Sequence, residues 1–401
     1  MDDRRLIRRV ILRNYKSIAA CDVRPAQLSF FVGRNGSGKS NFLDALRFVT
    51  DSIRFSLDHA LRDRGGIHEV RRRSGGHPTH FGIRLEFGLP TASGHYAFSV
   101  GAKPRGGYEV QSEECLVVPR DGSPEYYRVE SGEVVKATLP SPPPAAPDRL
   151  YLVHVSGMAA FRPLYHAMEG MGFYNLSPGE IRDLQSPDPG ELLSRDGRNV
   201  ASVLANLASR SPALKVRIEE YLAKVAPGIS GVDAKVIGPK ETLEFRQEVR
   251  GSAHPWKFLA TSMSDGTLRA LGVLLALFQA ADDRSGGSRL VGIEEPELAL
   301  HPAAAGILID GLQEASESAQ ILVTSHSPDL LDHDELPEDS IFAVVSDHGE
   351  TQLATLDDAG RSALRDHLYT AGELLRMDQL QPDPRLAQIS PAQLNLFGPE
   401  A

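Results

Sequence analysis

The chain has 401 residues, 41% of them hydrophobic and 24% charged, and a formal charge of -10. That length suits one large domain or two moderate ones with a sizeable buried core. The acidity excludes a protein whose whole surface attracts nucleic acid. The charge is uneven, since residues 1–80 are clearly basic and the remainder acidic; this permits a local phosphate-facing patch, although solvated arginines would give the same count. Cys21 and Cys115 lack metal-ligand spacing and fit a reduced compartment. No apolar stretch follows the first five residues, and the longest apolar run, Leu271 to Ala281, is too short to span a bilayer. The expectation is a cytoplasmic protein with no membrane partner.

In chain order, Leu6–Leu12 and Leu28–Val32 read as strands. A Gly-rich turn and an amphipathic helix at Asn41–Val49 follow. From Phe81 to Val135 short alternating strands separated by Asp121-Gly122 and Ser131-Gly132 predict an antiparallel sheet. Pro140–Pro147 is a Pro-rich connector, and Leu150–Val155 reads as a strand. Residues 160–226 read as mostly helical, with Asp196-Gly197 turning into a helix. Strands follow near 232–236 and 243–249. Then α/β alternation returns: helix 265–281, strand 289–293, helix 302–317, strand 320–324. The tail from Gln381 is Pro-rich and reads as loosely ordered until its last residues. The boundaries drawn from this pass are an N-terminal lobe at 1–159, a helical insertion at 160–230, a C-terminal lobe at 231–380 and a tail at 381–401.

Gly33-Arg34-Asn35-Gly36-Ser37-Gly38-Lys39-Ser40 fits GxxxxGK[ST] in full, after a strand and before a helix. Glycines let backbone N–H groups curl toward phosphate oxygens, and the helix N-terminus adds a favourable dipole. Lys39 would reach the β- and γ-phosphates, and Ser40 would join the Mg²⁺ shell. Leu290–Glu295 is an apolar strand ending in two carboxylates; by position Glu294 would hold the metal and Glu295 would activate water. His326, at the tip of the strand Gln320–Thr324, could contact the γ-phosphate and the water. Ser264, Asp265 and Gly266 open a helix, where the first two can cap it and the third keeps N–H groups accessible. That segment reads either as a helix cap alone or as a second phosphate-binding helix start.

With these motifs in this order, the chain resembles the ABC-type ATPases of the SMC, RecF and OLD branch. More closely, it resembles the compact bacterial RecF-like "predicted AAA" ATPases. Matching segments are Ile11–Ile18, Asn35–Asn41, Asp196–Val200, Leu268-Arg269, Glu294-Glu-Pro-Glu297 with Leu300-His301-Pro302, Ser325–Pro328 and Gly372–Leu374. The resemblance implies an α/β P-loop NTPase of ABC-head type, with a mixed N-terminal sheet, a parallel RecA-like core and a helical insertion. It implies ATP and Mg²⁺, with Gly33 to Asn41 on the phosphates and Ser264, Asp265 and Gly266 facing the nucleotide of a second subunit in a homodimer. Glu297 to His301 would cross that interface, and Arg13 and Lys16 would approach the nucleotide. Two departures are plain: Glu294 stands where Asp is usual in transporters and SMC proteins, and only Gln185 and Asn175 offer themselves for the Q-loop.

Three functions compete. One is an ATP-driven switch in DNA repair or maintenance or in anti-phage defence, with Arg62, Arg64 and Arg71 to Arg73 on DNA backbone. Another is a regulatory ATPase controlling a separate effector such as a nuclease, since no nuclease motif is visible. The third, a transporter subunit, is disfavoured because Lys39 and Ser264 are separated by more than half of the chain. Near the end, Gln393, Leu394, Leu396 and Phe397 resemble a sliding-clamp-binding peptide; packing on the protein's own core is the other reading.

Overall fold

The computed structural model describes residues 4–73, 78–281, 290–332 and 336–398. Residue 289 of the expected strand 289–293, residues 1–3 and residues 399–401 of the expected tail lie outside the described residues. The chain divides into two compact units. The first comprises 1–171, 337–368 and 377–401, and the second 172–336 and 369–376. These units run across the boundaries drawn from the sequence at 159, 230 and 380.

In the first unit a seven-stranded antiparallel sheet carries the strands expected between 81 and 135. Ile7–Tyr15 lies between Ile18–Val23 and His80–Gly88. Tyr15 and Phe81 meet edge to face, as do Phe48 and Phe81, so the helix Lys39–Arg54 is anchored on this sheet by aromatic packing. The strand that leads into the phosphate loop, Leu28–Val32, belongs to a different layer. It pairs in parallel with Ile341–Asp347, which continues in a hairpin to Glu350–Thr355. The sequence reading had stopped short of that hairpin.

Leu150–Val155 is not a strand. Tyr151–Val155 is a helical turn whose first amides, Tyr151 N–H and Leu152 N–H, donate to the carboxylate of Glu113. A buried acceptor for orphan helix amides outweighs the β-branched local pattern. The tail is also ordered through residue 398. Leu394 and Leu396 pack with Ile11 and Ala20 on the sheet, and Leu396 is 3% exposed. Arg84 donates to the Leu396 carbonyl, Gly398 N–H donates to Glu114, and the Arg128 guanidinium lies over the Phe397 ring. Leu394 and Leu396 thus pack on the chain's own core, the second of the two readings given for this segment, with Phe397 partly buried beside them.

In the second unit, Gly172–Tyr174, Leu290–Glu294 and Gln320–Ser325 run in parallel register. The last two are buried almost throughout, the pattern of a strand covered on both faces. The stretch 160–226 is less helical than expected. It holds the strand Gly172–Tyr174 and an irregular segment before the helix Val200–Arg210, which Gly197 enters at φ 85°. A three-stranded antiparallel sheet adds Trp256–Leu259 to the two strands foreseen from sequence.

Candidate nucleotide site

The loop in the first unit is built for close backbone approach. Gly36 and Gly38 sit at φ 79° and 101°, where side chains are strained. Helix Lys39–Arg54 starts at Gly38 with no side-chain cap and no acid in its first turn, so its dipole favours an anion there. Lys39 is 5% exposed, and its Nζ donates to the carbonyls of Gly33 at 2.8 Å and Arg34 at 3.0 Å. Thr351 Oγ1 donates to Ser37 O, and a chain of contacts links Thr351, Ser17 and Asn41. Asn35 and Ser40 are exposed, and Arg34 pairs with Asp378 at 3.0 Å.

Beside this network opens a cavity of about 270 Å³, lined by Lys16, Ser17, Asn41, Glu69, Arg71, Arg72, Arg73 and Gly349. Most of its cations are already matched: Lys16 to Asp44, Arg72 to Glu350, Arg73 to Glu69. Lys16 thus shares this cavity with Ser17 and Asn41. Arg64 does not share that exposure. Its side chain is 3% exposed and lies between Asp44 and Asp51. Its positive charge holds Asp44 well below the usual carboxylate range, against the opposing effect of burial. Arg64 is a structural cation and not an exposed, DNA-facing arginine as the sequence suggests; Arg62, paired with Asp58 at the surface, is exposed.

In the second unit the register sets the chemistry. Glu294 pairs with Thr324 across the parallel strands, so Glu295 and Ser325 leave the sheet at the same level. His326 Nδ1 then lies 3.0 Å from Glu295 Oε1. Glu295 adopts φ 45°, a left-handed conformation for a non-glycine, and its amide donates to Thr324 O. Glu297 was assigned from sequence to an interface loop, yet its side chain is 8% exposed and accepts from Ser325 Oγ at 2.6 Å. Burial pushes its carboxyl up. The signal that could have found it is the third acid of Glu294-Glu-Pro-Glu297, followed at the next strand by Ser325.

Ser264 Oγ accepts from Thr267 N–H and caps the helix Asp265–Ala280, as read from sequence. Asp265 pairs with Arg182. Gly266 is needed for space, because a Cβ there would run into the carbonyl of Ala299. Glu294 is paired with Arg195 at 2.8 Å. Of the two Q-loop candidates, Gln185 is buried and spent on backbone: it donates toward Glu180, Ile181 and Gly197 and accepts from Ala201. Asn175 is exposed and follows Tyr174, the partner of Ile293, which puts it at the level of Glu294. Ser40 and Glu294 offer hydroxyl and carboxylate oxygens, the donor chemistry that Mg²⁺ requires.

No helix among the described residues is long and apolar enough to cross a membrane. No curated protein matches the sequence. Among solved structures, an SMC head bound to the C-winged helix domain of ScpA superposes with a TM-score of 0.54 at 14% identity, covering 88% of this chain and 99% of that one. An SMC head with an extended coiled coil, bound to the C-terminal domain of ScpA derived from Pyrococcus furiosus, gives 0.52 at 13% identity, covering 90% and 99%. The fold is thus that of an ABC-type ATPase head. The family described as "AAA domain, putative AbiEii toxin, Type IV TA system" matches residues 28–118 and 171–332, more than half of the sequence. With its phosphate loop and paired strand-end acids inside those spans, the chain belongs to that AAA-domain family.

Proposed function

We propose that the chain binds ATP with Mg²⁺, dimerises around it and hydrolyses it as a switch. The observation that carries this is the Glu295–His326 pair at the strand ends, in a chain that also presents an uncapped phosphate-loop helix. The amides of Gly36 to Ser40 and the Lys39 ammonium would hold the phosphates, with Lys39 exchanging its two loop carbonyls for phosphate oxygens. Ser40 and Glu294 would hold Mg²⁺, which neutralises phosphate charge; Arg195 would give up Glu294 when the metal arrives. Glu295 would accept the proton of the attacking water. His326, hydrogen-bonded to that carboxylate, would orient it. Asn175 would stand where the Q-loop side chain is expected. Ser264, Asp265 and Gly266 would face the nucleotide held by a second copy.

The biological setting we favour is genome maintenance or anti-phage defence. The family description, which names a putative toxin of a type IV toxin–antitoxin system, supports the defence branch. Exposed Arg62 and the arginines around the cavity are the candidates for DNA phosphates.

The test is the solution mass of Glu295→Gln with and without ATP and Mg²⁺, beside a Ser264→Arg, Glu295→Gln double variant. Glu295→Gln should hydrolyse ~10²–10⁴-fold more slowly while retaining ATP, and should dimerise only with ATP. The double variant should stay monomeric. Wild-type turnover by Glu295→Gln, or a mass indifferent to ATP, would overturn the reading.

A further inference from the structure

The helix Asp265–Ala280 is apolar beyond its first turn apart from Arg269 and Gln279. Arg269 is 6% exposed and lies amid a run of buried Leu, Ala and Val. Burying a guanidinium is costly unless its donors are matched. Here its hydrogen bonds go to backbone carbonyls: Leu176 O at 2.6 Å, Glu294 O at 3.2 Å and Glu295 O at 3.0 Å. No carboxylate forms an ion pair with it among the described residues. Its charge instead faces Glu294, Glu295 and Glu297 at longer range.

Two of those carbonyls flank the residue whose backbone is strained. Glu295 sits at φ 45°, and Ala299, four residues on, at φ 64°. Each such non-glycine conformation is strained and persists only when neighbours hold it. The same helix meets this turn twice. Gly266 packs against the Ala299 carbonyl so closely that no Cβ fits, and Arg269, one turn on, grips Glu294 and Glu295. The turn after the acid strand is therefore held by the helix that begins with Ser264.

We infer that Arg269 is a positioning residue: it ties the main chain at Glu295 to the helix opened by Ser264, so that a shift of that helix moves the water-activating carboxylate. This rests on the proposed ATPase reading and deepens it by naming how engagement of one end of the helix governs hydrolysis. Arginine suits the task because its planar fork reaches several carbonyls at once; a lysine keeps the charge but not the fork.

The test compares Arg269→Lys and Arg269→Met with wild type by three readouts: turnover split into kcat and KM, binding of a fluorescent ATP analogue, and ATP-dependent mass in the Glu295→Gln background. The expected result is that kcat falls about 100-fold, the size of effect that a displacement near 1 Å produces, with analogue affinity and ATP-dependent dimerisation within twofold of wild type, and that Lys restores part of kcat over Met. If Met fails to fold, Lys alone decides. Wild-type kcat in Arg269→Lys would overturn the inference, as would a parallel fall of kcat, binding and dimerisation, which would mark a merely structural cation. Glu295→Gln separates the two levels. If it turns over normally the ATPase reading fails whatever Arg269 does; if it is slow and Arg269→Lys is normal, only the positioning role falls.

Discussion

Lys39 and Gly38 show how much chemistry rests on single residues. The ammonium is held by two carbonyls of its own loop, and that geometry requires the chain to turn at Gly38 with φ 101°. A Cβ at Gly38 would collide with Thr351 Oγ1, the hydroxyl that supports Ser37. Gly38→Ala should therefore weaken binding of a fluorescent ATP analogue at least about tenfold, since left-handed strain of ~1–2 kcal/mol is itself worth roughly that factor. A titration matching wild type would show that the loop does not bind phosphate in this form. At this scale the sequence was a good guide to placement: the loop Gly33 to Ser40 before its helix, and Glu295 and His326 at neighbouring strand ends, were legible because fixed spacing carries those motifs. Arg269's grip on the backbone and the buried Ser325–Glu297 contact were not, because each joins side chains to distant chain through geometry that no local pattern carries.

Between residue and molecule, tertiary contacts decide two elements. Tyr151–Val155 reads as a strand but caps itself on Glu113, and the segment around Leu396, read either as a docking peptide or as packing on the protein's own core, fills a hollow on the sheet. The hollow exists because residue 82 is glycine; a side chain there would occupy the place of the Leu396 methyl. Truncating that side chain with Leu396→Ala should lower the free energy of unfolding by about 2–3 kcal/mol, the usual cost of a buried leucine, read from urea denaturation. An unchanged midpoint would mean that the tail leaves the sheet in solution. Parallel strands with unbroken apolar runs, such as Leu290–Glu294, and the alternating strands after residue 80 were legible because burial on one or two faces writes itself into the sequence. A tertiary acceptor such as Glu113 leaves no such trace.

For the molecule as a whole, that same acceptor sets a pH dependence. Burial raises the Glu113 carboxyl from 4.5 to about 7, although Tyr151 N–H, Tyr127 OH, Leu152 N–H and Tyr96 OH all favour its charged form. Between those values the folded state holds a proton that the unfolded chain has released. The contribution of Glu113 to stability is therefore present at low pH and lost as pH rises from about 4.5 to 7, with a slope of up to about 1.4 kcal/mol per pH unit. Carboxylates held low, such as Asp44, act in the opposite sense at acid pH. Subtracting the urea stability of Glu113→Gln from that of wild type at each pH isolates the carboxyl: the difference should decline from pH 5 to 7 and then level. A flat difference would mean that Glu113 is ionised throughout.

The first unit is assembled from three separated stretches of chain, and its phosphate-loop strand Leu28–Val32 pairs there with Ile341–Asp347. A ribosome adding roughly 5–20 residues per second needs roughly 15–60 s to travel between those strands. Through that interval the nascent chain carries the apolar Leu28–Val32 segment without this partner. Newly made protein is thus exposed to premature association for far longer than a chain whose neighbours in space are neighbours in sequence, and its yield in cells should depend on holding factors and on translation speed more than the finished fold would suggest.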